Sequence, residues 1–312
     1  MLESMLLRQR LAKRAAFLAG IRAFFAARDV LEVDTAQLRS CGVTDPHLLS
    51  LVADDGYLQT SPEYAMKILL ASGAGDIYQL AHVFRGEEQG RKHRREFMLL
   101  EWYRLGFDHY QLMKEVVALI HTLLPAYKPK TVLYTSYTEA FRQHCMIDIE
   151  QMDDNALADF CHAQLPESCN WQMERDAMLD LIFSHYVEPA LGKNALEFIT
   201  DYPPSQAALA RVTQDKQGKM TAARFELYID GLELCNGFWE LASAVEQRKR
   251  FMDDNIERQK HHLPVMPLDE NFLMALENGL PDCAGVALGV DRLLMLHCGA
   301  AHIDSVIDPL LV

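Results

Sequence analysis

Two alternating runs of apolar and polar side chains, separated by a short charged segment, form the clearest pattern in the chain. The first run ends at Phe84, and the second extends from Phe97 to Tyr103. This pattern predicts a strand, a loop and a returning strand. Because side chains alternate along a strand, one face of the second strand is expected to carry Phe97, Leu99, Glu101 and Tyr103. A carboxylate and a phenol among apolar side chains are not needed for packing, so this face is expected to line a ligand cleft.

Helical periodicity appears twice near the start of the chain. Residues 4–28 predict an amphipathic helix whose apolar face belongs either to the core or to a dimer interface, and residues 30–35 predict a strand after it. A second helix is expected to begin with Ser61 as its N-cap, Pro62 at its first position and Glu63 near its positive end. Capping explains this trio, and contact of Ser61 and Glu63 with a ligand amine is the alternative.

A two-residue turn, Asp230-Gly231, joins two apolar runs and predicts a β-hairpin. The turn is expected to pair the residues around it as Ile229 with Leu232, Tyr228 with Glu233, and Glu226 with Cys235. Glu226 and Glu233 then share one face of the hairpin, roughly 7 Å apart at Cβ.

No basic partner is expected beside the Glu226 and Glu233 carboxylates in sequence. They either face water at a sheet edge or hold Mg²⁺, which proteins bind with one or two carboxylates together with substrate phosphates. Glu240 falls on the opposite face of a regular strand. A bulge at Asn236-Gly237 is the hypothesis that restores Glu240 to the same face.

The last informative stretch, residues 285–296, predicts a buried strand, a close backbone approach at Gly289, and a helix with Arg292 in its first turn. A cation at the start of a helix opposes the helix dipole, so Arg292 is expected to serve something other than helix stability. Phosphate is the natural partner of a guanidinium group.

Composition narrows the possible classes of function. The chain has 30 basic and 44 acidic residues, and its net charge of −14 argues against a broad nucleic-acid-binding surface. Its seven cysteines are scattered without a C-x-x-C pair, so neither a disulfide framework nor a zinc site is expected, and a reducing cytoplasm is favoured. Residues 1–10 have no apolar segment after their charges and no apolar run approaches the ~18 residues of a membrane span, so neither a leader nor a membrane-spanning helix is expected.

Together these stretches resemble the catalytic core of class II aminoacyl-tRNA synthetases, in the lysyl branch. The resemblance to motif 2 lies in Phe84-Arg85-x-Glu87, His93 and residues 96–103, and the resemblance to motif 3 in residues 289–292. It covers nearly the whole chain and implies an α+β fold with an antiparallel β-sheet flanked by helices. One catalytic domain over residues 1–312 is expected, with no anticodon-binding domain.

Residues 43–48 and 282–289 more closely resemble the lysyl-tRNA synthetase paralogues that modify elongation factor P. Such enzymes activate a lysine-type amino acid, preferably (R)-β-lysine, with ATP and transfer it to a lysine side chain of elongation factor P. The resemblance implies ATP and Mg²⁺ as cofactors and a homodimer, and it makes tRNA an unexpected partner. Synthetases have glycine where this chain has Ala287, and the extra methyl is expected to favour the β-amino isomer.

Carried over residue by residue, the resemblance implies three groups of site residues. Arg85 would contact the α-phosphate, Phe97 the adenine and Arg292 the terminal phosphate, and both arginines are the expected catalytic residues. Further nucleotide contacts would come from Glu87, His93, Arg94, Glu233, Leu234 and Gly289, and magnesium contacts from Glu226 and Glu233. The amino-acid pocket would contain Ser61, Pro62, Glu63, Glu101, Tyr103, Asn236, Phe238, Glu240 and Ala287, with Tyr103 and Glu240 on the distal ammonium.

Several positions differ from the family pattern. Ala36 stands where motif 1 has proline, Gly86 stands where motif 2 has asparagine, and Arg94-Arg95 replaces an Asn-Pro pair. The basic run over residues 91–95 binds ATP phosphates, meets an acidic protein partner, or faces solvent.

Two alternative functions stay open. One is a free-standing enzyme that forms lysyl-adenylate for another acceptor, such as tRNA. The other is a non-catalytic regulatory paralogue, which the presence of Arg85, Glu226, Glu233 and Arg292 disfavours.

Overall fold

A computed structural model describes residues 7–86, 90–165, 173–215 and 217–307. Its α-helices are α1 (Leu7–Ala26), α2 (Glu63–Ala71), α3 (His109–Leu123), α4 (Tyr137–Cys145), α5 (Asp154–Gln164), α6 (Arg175–Ile182), α7 (Ala244–Lys260), α8 (Glu270–Gly279), α9 (Val290–Cys298) and α10 (Asp304–Ile307). Its strands are β1 (Leu31–Glu32), β2 (Leu38–Arg39), β3 (Val52–Ala53), β4 (Gly56–Leu58), β5 (Ile77–Phe84), β6 (Glu96–Leu105), β7 (Thr131–Ser136), β8 (Ala195–Tyr202), β9 (Val212–Gln214), β10 (Met220–Ile229), β11 (Leu232–Trp239) and β12 (Cys283–Gly289).

The chain divides into two compact units, residues 1–126 with 239–312 and residues 127–238. In both units most strand pairs are antiparallel, and the exceptions are the parallel pairs β1 with β5 and β7 with β8. Helices accompany the sheet strands in each unit, so the expected α+β class is confirmed. The predicted strand over residues 30–35 is wrong in length, because only Leu31 and Glu32 pair with β5 as an exposed edge strand.

In the first unit, β5, β6 and β12 form the part of the sheet that carries the candidate site. Their register aligns Gln79, Glu101 and Ala287 in one row across the three strands. Two residues further along β6, the row on the same face contains Ile77, Tyr103 and Gly285. Glu101 and Tyr103 therefore share one face of β6, as the alternating pattern predicts.

The opposite face of β5 and β6 packs on helices. The Phe25 ring of α1 stacks on Tyr78, with centroids 4.4 Å apart, and meets the edge of the Trp102 ring at 5.4 Å. The Trp102 indole N–H donates to Glu115 of α3 at 3.1 Å. This apolar contact fixes the predicted amphipathic helix α1 against the sheet and leaves the other face of β6 for polar side chains.

Helix α2 lies above that polar face and packs against α8. Tyr64 of α2 stacks on Phe272 of α8 at 4.7 Å between ring centroids, and Met66 and Leu70 are fully or almost fully buried. Asp269 caps α8 by accepting the Phe272 backbone N–H at 3.0 Å. The packing holds the first turn of α2, where three predicted site residues lie, in a fixed position.

In the second unit, β11, β10, β8 and β7 are neighbours in that order, and β9 pairs with β10. The predicted hairpin turn is confirmed: Asp230 and Gly231 have positive φ values of 52° and 70°, as a type I′ turn requires. Aromatic side chains of helices and strands, among them Tyr137, Phe183 and Tyr228, form the core of this unit.

Among the described residues, no helix combines the length and apolar character that a bilayer span needs. The six cysteines in this part of the chain are all free thiols.

Candidate active site

Polar side chains from distant parts of the sequence meet on the polar face of β6. The Glu101 carboxyl accepts a hydrogen bond from the Ser61 hydroxyl at 2.6 Å and another from the Tyr103 hydroxyl at 2.7 Å. Both Glu101 and Tyr103 are 2% exposed. Since residues two apart along a strand lie on the same face, the pairing of Glu101 with Tyr103 is a direct product of the period-two pattern.

A second group of charges adjoins this pair. Lys67 lies in the middle of α2, one helical turn after Glu63, and its ammonium donates to a Glu63 carboxylate oxygen at 2.7 Å. The same ammonium forms an ion pair with Glu240 at 2.6 Å. Lys67 and Glu240 are buried, at 0% and 1% exposure, so solvent does not screen this contact.

The first turn of α2 differs in detail from the predicted cap. Pro62 is the N-cap residue and makes no side-chain hydrogen bond, and the helix begins at Glu63. The Ser61 hydroxyl still accepts the Glu63 backbone N–H at 3.0 Å while it donates to Glu101. The prediction of Ser61 as N-cap is therefore wrong by one position, because the Ser61 side chain connects the start of the helix to β6.

Because Gly285 has no side chain, the Tyr103 ring and the Glu240 carboxylate can both lie close to β12. A Cβ at this position would overlap the Tyr103 ring and would lie 2.5 Å from Oε1 of Glu240. Because Gly285 pairs directly with Tyr103 across the strands, a side chain there has no other direction to take. Glu240 is fixed further by its backbone N–H, which donates to Cys283 at 3.0 Å.

Electrostatics distinguish the carboxyl groups of this cluster. Burial raises the pKa of the Glu101 carboxyl to about 8, and the Glu63 charge adds to that effect against the hydrogen bonds from Ser61 and Tyr103. Although burial alone would lower the pKa of Lys67, the Glu240 and Glu63 carboxylates outweigh it and raise that pKa above its ordinary value. The cluster thus contains a neutral acid at neutral pH beside a charged lysine.

Replacing Glu101 with glutamine is expected to remove part of the pH dependence of stability. An acid whose pKa rises from 4.5 to about 8 on folding holds a proton that the unfolded chain has lost, so it reduces stability as pH rises through that window. The glutamine of Glu101→Gln cannot ionise. The free energy of unfolding of the variant, measured relative to the wild type, should therefore increase with pH over this window by at most about 1.4 kcal/mol per pH unit. Urea denaturation between about pH 5 and pH 9 measures the difference, and a constant difference would contradict the assignment.

Arg85 and Phe97 lie near the outer ends of β5 and β6. The Arg85 guanidinium carbon lies 5.2 Å from the centroid of the Phe97 ring, and its Nε donates to the Thr60 carbonyl at 3.3 Å. Phe97 packs beside a small apolar group that includes Leu99 and Ala287. The structure therefore brings a cation and an aromatic face together next to the polar cluster.

The described part of the loop between β5 and β6 is fastened to the end of the chain. Arg292, in the first turn of α9, donates to the Lys92 carbonyl at 3.3 Å, and the Ile303 backbone N–H donates to Arg91 at 2.9 Å. Arg94 forms an ion pair with Asp304 at 2.9 Å. His93 lies in the same loop, where its backbone bridges to Gly90. Glu87 falls outside the described residues.

Two glycines of the predicted motifs occupy close or terminal positions. A Cβ on Gly86 would lie 2.5 Å from Cδ2 of Leu49, so the Leu49 side chain occupies the space that the usual asparagine would need. Gly289 ends β12 opposite Leu99 and is followed directly by α9. Arg292 therefore lies one short turn beyond the strand end.

In the second unit, Glu226 is the centre of a separate polar cluster. Its carboxylate accepts hydrogen bonds from the Tyr202 hydroxyl at 2.7 Å and the Tyr228 hydroxyl at 2.6 Å, and it forms an ion pair with Arg224. The expectation that Glu226 lacks a basic partner is wrong, because Arg224 precedes it by two residues and shares its face of β10. Arg224 also donates to the Asn236 side-chain oxygen at 3.3 Å.

The hairpin register agrees with the prediction only near the turn. Ile229 pairs with Leu232 and Tyr228 with Glu233, but Glu226 pairs with Asn236, so the predicted pair with Cys235 is wrong. The register shifts beside Leu227, where Leu234 is the extra residue of β11.

The predicted bulge at Asn236-Gly237 is wrong, because the pairing of these two residues with β10 is regular. The irregularity at Leu234 brings Glu233 and Asn236 to one face of β11. Their cross-strand partners on the same face of the sheet are Tyr228 and Glu226. Phe238 pairs with Arg224 on the same face.

Carboxylate oxygens are suitable ligands for Mg²⁺, and Glu226 and Glu233 keep the predicted diagonal arrangement. Among the described residues, no group of three or more His, Cys, Asp or Glu side chains is placed to hold a metal ion. A metal at this pair would need further ligands, such as phosphate oxygens.

Three residues of these clusters were missed in the sequence. Lys67 had a signal, because its spacing from Glu63 places both on one helical face. Arg224 also had one, since a spacing of two puts it beside Glu226 on a strand. Gly285 had none, because its role depends on Tyr103 and Glu240, which are distant in sequence.

Comparison of the sequence with known proteins identifies the family. A family model described as tRNA synthetases class II (D, K and N) matches residues 2–308. The chain belongs to this class II tRNA synthetase family.

Among curated proteins, the chain is similar to elongation factor P–(R)-β-lysine ligase from Yersinia enterocolitica serotype O:8 / biotype 1B. The two are 46% identical over 309 residues, which cover 95% of this chain and 93% of the relative. Proteins of the same name from Edwardsiella ictaluri and Salmonella paratyphi B are each 45% identical with the same coverage.

Proposed function

We propose that this chain activates (R)-β-lysine with ATP and attaches it to a lysine side chain of elongation factor P. The observation that carries the proposal is an acidic cluster in a class II synthetase domain, in which Glu101 and Glu240 are buried and Glu63 is partly buried. An amino acid with two ammonium groups needs such partners, because a buried ammonium without them is costly. The names of relatives at 45–46% identity support the same substrate and acceptor.

Within the amino-acid pocket, the proposed roles follow the chemistry of each group. Glu240 and Tyr103 would contact the distal ammonium, because Gly285 lets both lie close to the strand. Ser61 and Tyr103 orient the Glu101 carboxyl, which would bind the other ammonium of the amino acid. The carboxyl of Glu101 would lose its proton when the amino acid binds. The pocket would also contain Ser61, Pro62, Glu63, Asn236, Phe238 and Ala287.

MgATP is proposed as the second substrate. Phe97 would stack on adenine, Arg85 would contact the α-phosphate and Arg292 the terminal phosphate, since guanidinium groups suit phosphate oxygens. Glu226 and Glu233 would contact the magnesium that accompanies the phosphates. Further nucleotide contacts are proposed for Glu87, His93, Arg94, Leu234 and Gly289.

Activation would proceed by direct attack. A carboxylate oxygen of the amino acid forms a bond to the α-phosphorus, the bond from that phosphorus to the pyrophosphate oxygen breaks, and aminoacyl-adenylate and pyrophosphate result. Arg85 would stabilise the charge that develops on the α-phosphoryl oxygens, and the ammonium contacts would hold the carboxylate in position.

Transfer would follow without a covalent enzyme intermediate. The uncharged amine of the acceptor lysine attacks the acyl carbon, the bond from that carbon to the AMP oxygen breaks, and the amine proton leaves. The products are AMP and an amide on the acceptor side chain.

Two assays on the purified full-length protein test the proposal. Exchange of labelled pyrophosphate into ATP is expected with (R)-β-lysine, weaker with α-lysine and absent without an amino acid. Incubation with elongation factor P should then add the mass of one β-lysyl residue, whereas tRNA should remain uncharged. No exchange with either amino acid would defeat the proposal, and charging of tRNA without modification of elongation factor P would favour the alternative acceptor.

Replacing Ala287 with glycine is expected to shift preference toward α-lysine. Ala287 pairs with Glu101 and packs against the same apolar cluster as Phe97, so its methyl lies near both groups of proposed substrate contacts. A methyl-sized change typically alters discrimination about 10-fold or more, so the ratio of kcat/KM for β- over α-lysine should fall by that factor. The exchange assay with each isomer measures it.

Ala284→Gly is the matched control for this prediction, because it removes the same methyl from the same strand on the opposite face, where Ala284 is fully buried. It should lower stability and leave the isomer ratio unchanged. An unchanged ratio in Ala287→Gly would reject the role of the methyl.

A homodimer and a cytoplasmic location remain predictions. Leu7, Leu11 and Leu31 are large apolar side chains of α1 and β1 that are at least 41% exposed, which supports an interface on this side. Light scattering of the purified protein measures the oligomeric state.

A further inference from the structure

Lys67 is a fully buried cation within the candidate amino-acid pocket. Its side chain is 0% exposed, and its ammonium lies 2.7 Å from Oε1 of Glu63 and 2.6 Å from Oε2 of Glu240. The remaining side of the ammonium faces the Phe272 ring of α8, with 5.9 Å to the ring centroid. The ammonium is therefore hydrogen-bonded to one side chain proposed to bind substrate and ion-paired with another.

Stability does not account for this arrangement. An exposed lysine at the same spacing from Glu63 would stabilise α2 only slightly. Burial instead imposes a desolvation cost on each charge, and well-packed apolar residues often stabilise a fold at least as well as a buried ion pair. A buried lysine between two carboxylates therefore points to a role in the pocket.

The contacts of Glu240 show how Lys67 orients its carboxylate. With Oε2 held by Lys67, the other oxygen, Oε1, lies over Gly285 beside the Tyr103 ring. The Glu240 backbone is held at Cys283 at the same time. Contacts within the protein therefore hold both the side chain and the main chain of Glu240.

Resting on the proposed function, we propose that Lys67 is the positioning residue of the amino-acid pocket. Its ammonium orients the Glu63 and Glu240 carboxylates, and it directs Oε1 of Glu240 to the place where the distal ammonium of the substrate binds. Preorganisation of this kind strengthens binding because the pocket does not have to rearrange.

Loss of the lysine charge has a predictable consequence. The ionisable groups that share this space come from three places and are Glu63 on α2, Glu101 and Tyr103 on β6, and Glu240 after β11. Removing Lys67 takes away the cation that lies 2.6 Å from Glu240, and burial then shifts the balance toward the protonated form of Glu240. A protonated Glu240 no longer attracts an ammonium until the pH is high enough to remove the proton.

The test compares Lys67→Met with the wild type in the exchange assay over a range of pH. Near neutral pH, the KM for (R)-β-lysine should rise roughly 30-fold or more, because a buried charge pair has lost one partner. The KM for ATP should change little. The ratio of variant to wild-type KM should then fall as pH rises, which a merely structural role would not produce.

Arg258→Met is a matched control, because Arg258 is also a buried cation, at 1% exposure, and donates to the Pro264 and Asp45 carbonyls. Both variants should lose stability, but the Arg258 variant should keep the wild-type pH profile. An unchanged KM in Lys67→Met, or a rise that is equal at every pH, would overturn the proposal.

Ligand-induced stabilisation separates this inference from the proposed function. (R)-β-lysine should raise the Tm of the wild type more than that of Lys67→Met, and this measurement needs no turnover. Absence of exchange in the wild type would defeat the proposed function, and equal Tm shifts in the two proteins would defeat the role of Lys67.

A smaller variant distinguishes charge from shape. Lys67→Ala removes the atoms that propylammonium can replace, and 1-propanol fills the same space without a charge. Recovery of the exchange rate by propylammonium alone supports the positioning role, and equal recovery by both additives rejects it.

Discussion

Arg85→Met is expected to lower the kcat of amino-acid-dependent pyrophosphate exchange by about 10²- to 10³-fold, with a much smaller change in the KM for the amino acid. This size is typical when one group that stabilises transition-state charge is removed. Contacts on several sides hold Arg85 in place, since its backbone N–H donates to Arg95 at 2.9 Å and its Nε donates to Thr60 at 3.3 Å. The Phe97 ring limits its position from another side.

Arg95→Met is the matched control for this prediction. Arg95 lies at the end of the same loop, but its side chain is exposed, and its contact to Arg85 is made by the backbone carbonyl, which the substitution retains. The control should therefore keep kcat within a small factor of the wild type. An equal loss in both variants would mean that the summed charge of the loop matters and that the position of Arg85 does not.

Features set by local rules were the ones that the sequence predicted well. The polar face of β6 follows from alternation alone, and the turn at Asp230-Gly231 follows from the positive φ values that these residues tolerate. In these cases the residues that decide the geometry are close neighbours in the chain.

Features that depend on several elements were missed or wrong. The bulge at Leu234 changes which residues face Glu226, and no glycine or proline stands at that position to mark it. The burial of Lys67 requires Glu240, and the space at Gly285 has meaning only once strand register places Tyr103 beside it.

The family differences in the loop after β5 receive a similar explanation. Gly86 leaves room for Leu49, and Arg94 has an ion-pair partner in Asp304 near the end of the described chain. Both partners are distant in sequence, so the substitutions look unrelated when only the motif is read. In the structure each substitution is accommodated by a contact of its own.

Gly285→Ala is expected to lower kcat/KM for (R)-β-lysine by about 10²-fold or more, with little change in the KM for ATP. The new methyl would overlap the Tyr103 ring and lie 2.5 Å from Oε1 of Glu240, so both proposed ligands of the distal ammonium must move. A displacement of about 1 Å is enough to cost roughly 10²-fold in rate. The exchange assay with varied (R)-β-lysine and varied ATP separates the two effects.

Ala284→Val provides the control, since it adds bulk to the neighbouring residue of β12 on the face that points away from Tyr103. Ala284 is fully buried, so overpacking should lower stability by about 1–3 kcal/mol. This variant should lose thermal stability and retain a kcat/KM near that of the wild type. If Gly285→Ala keeps the wild-type kcat/KM, or if Ala284→Val loses as much, the close approach at Gly285 does not position Tyr103 and Glu240.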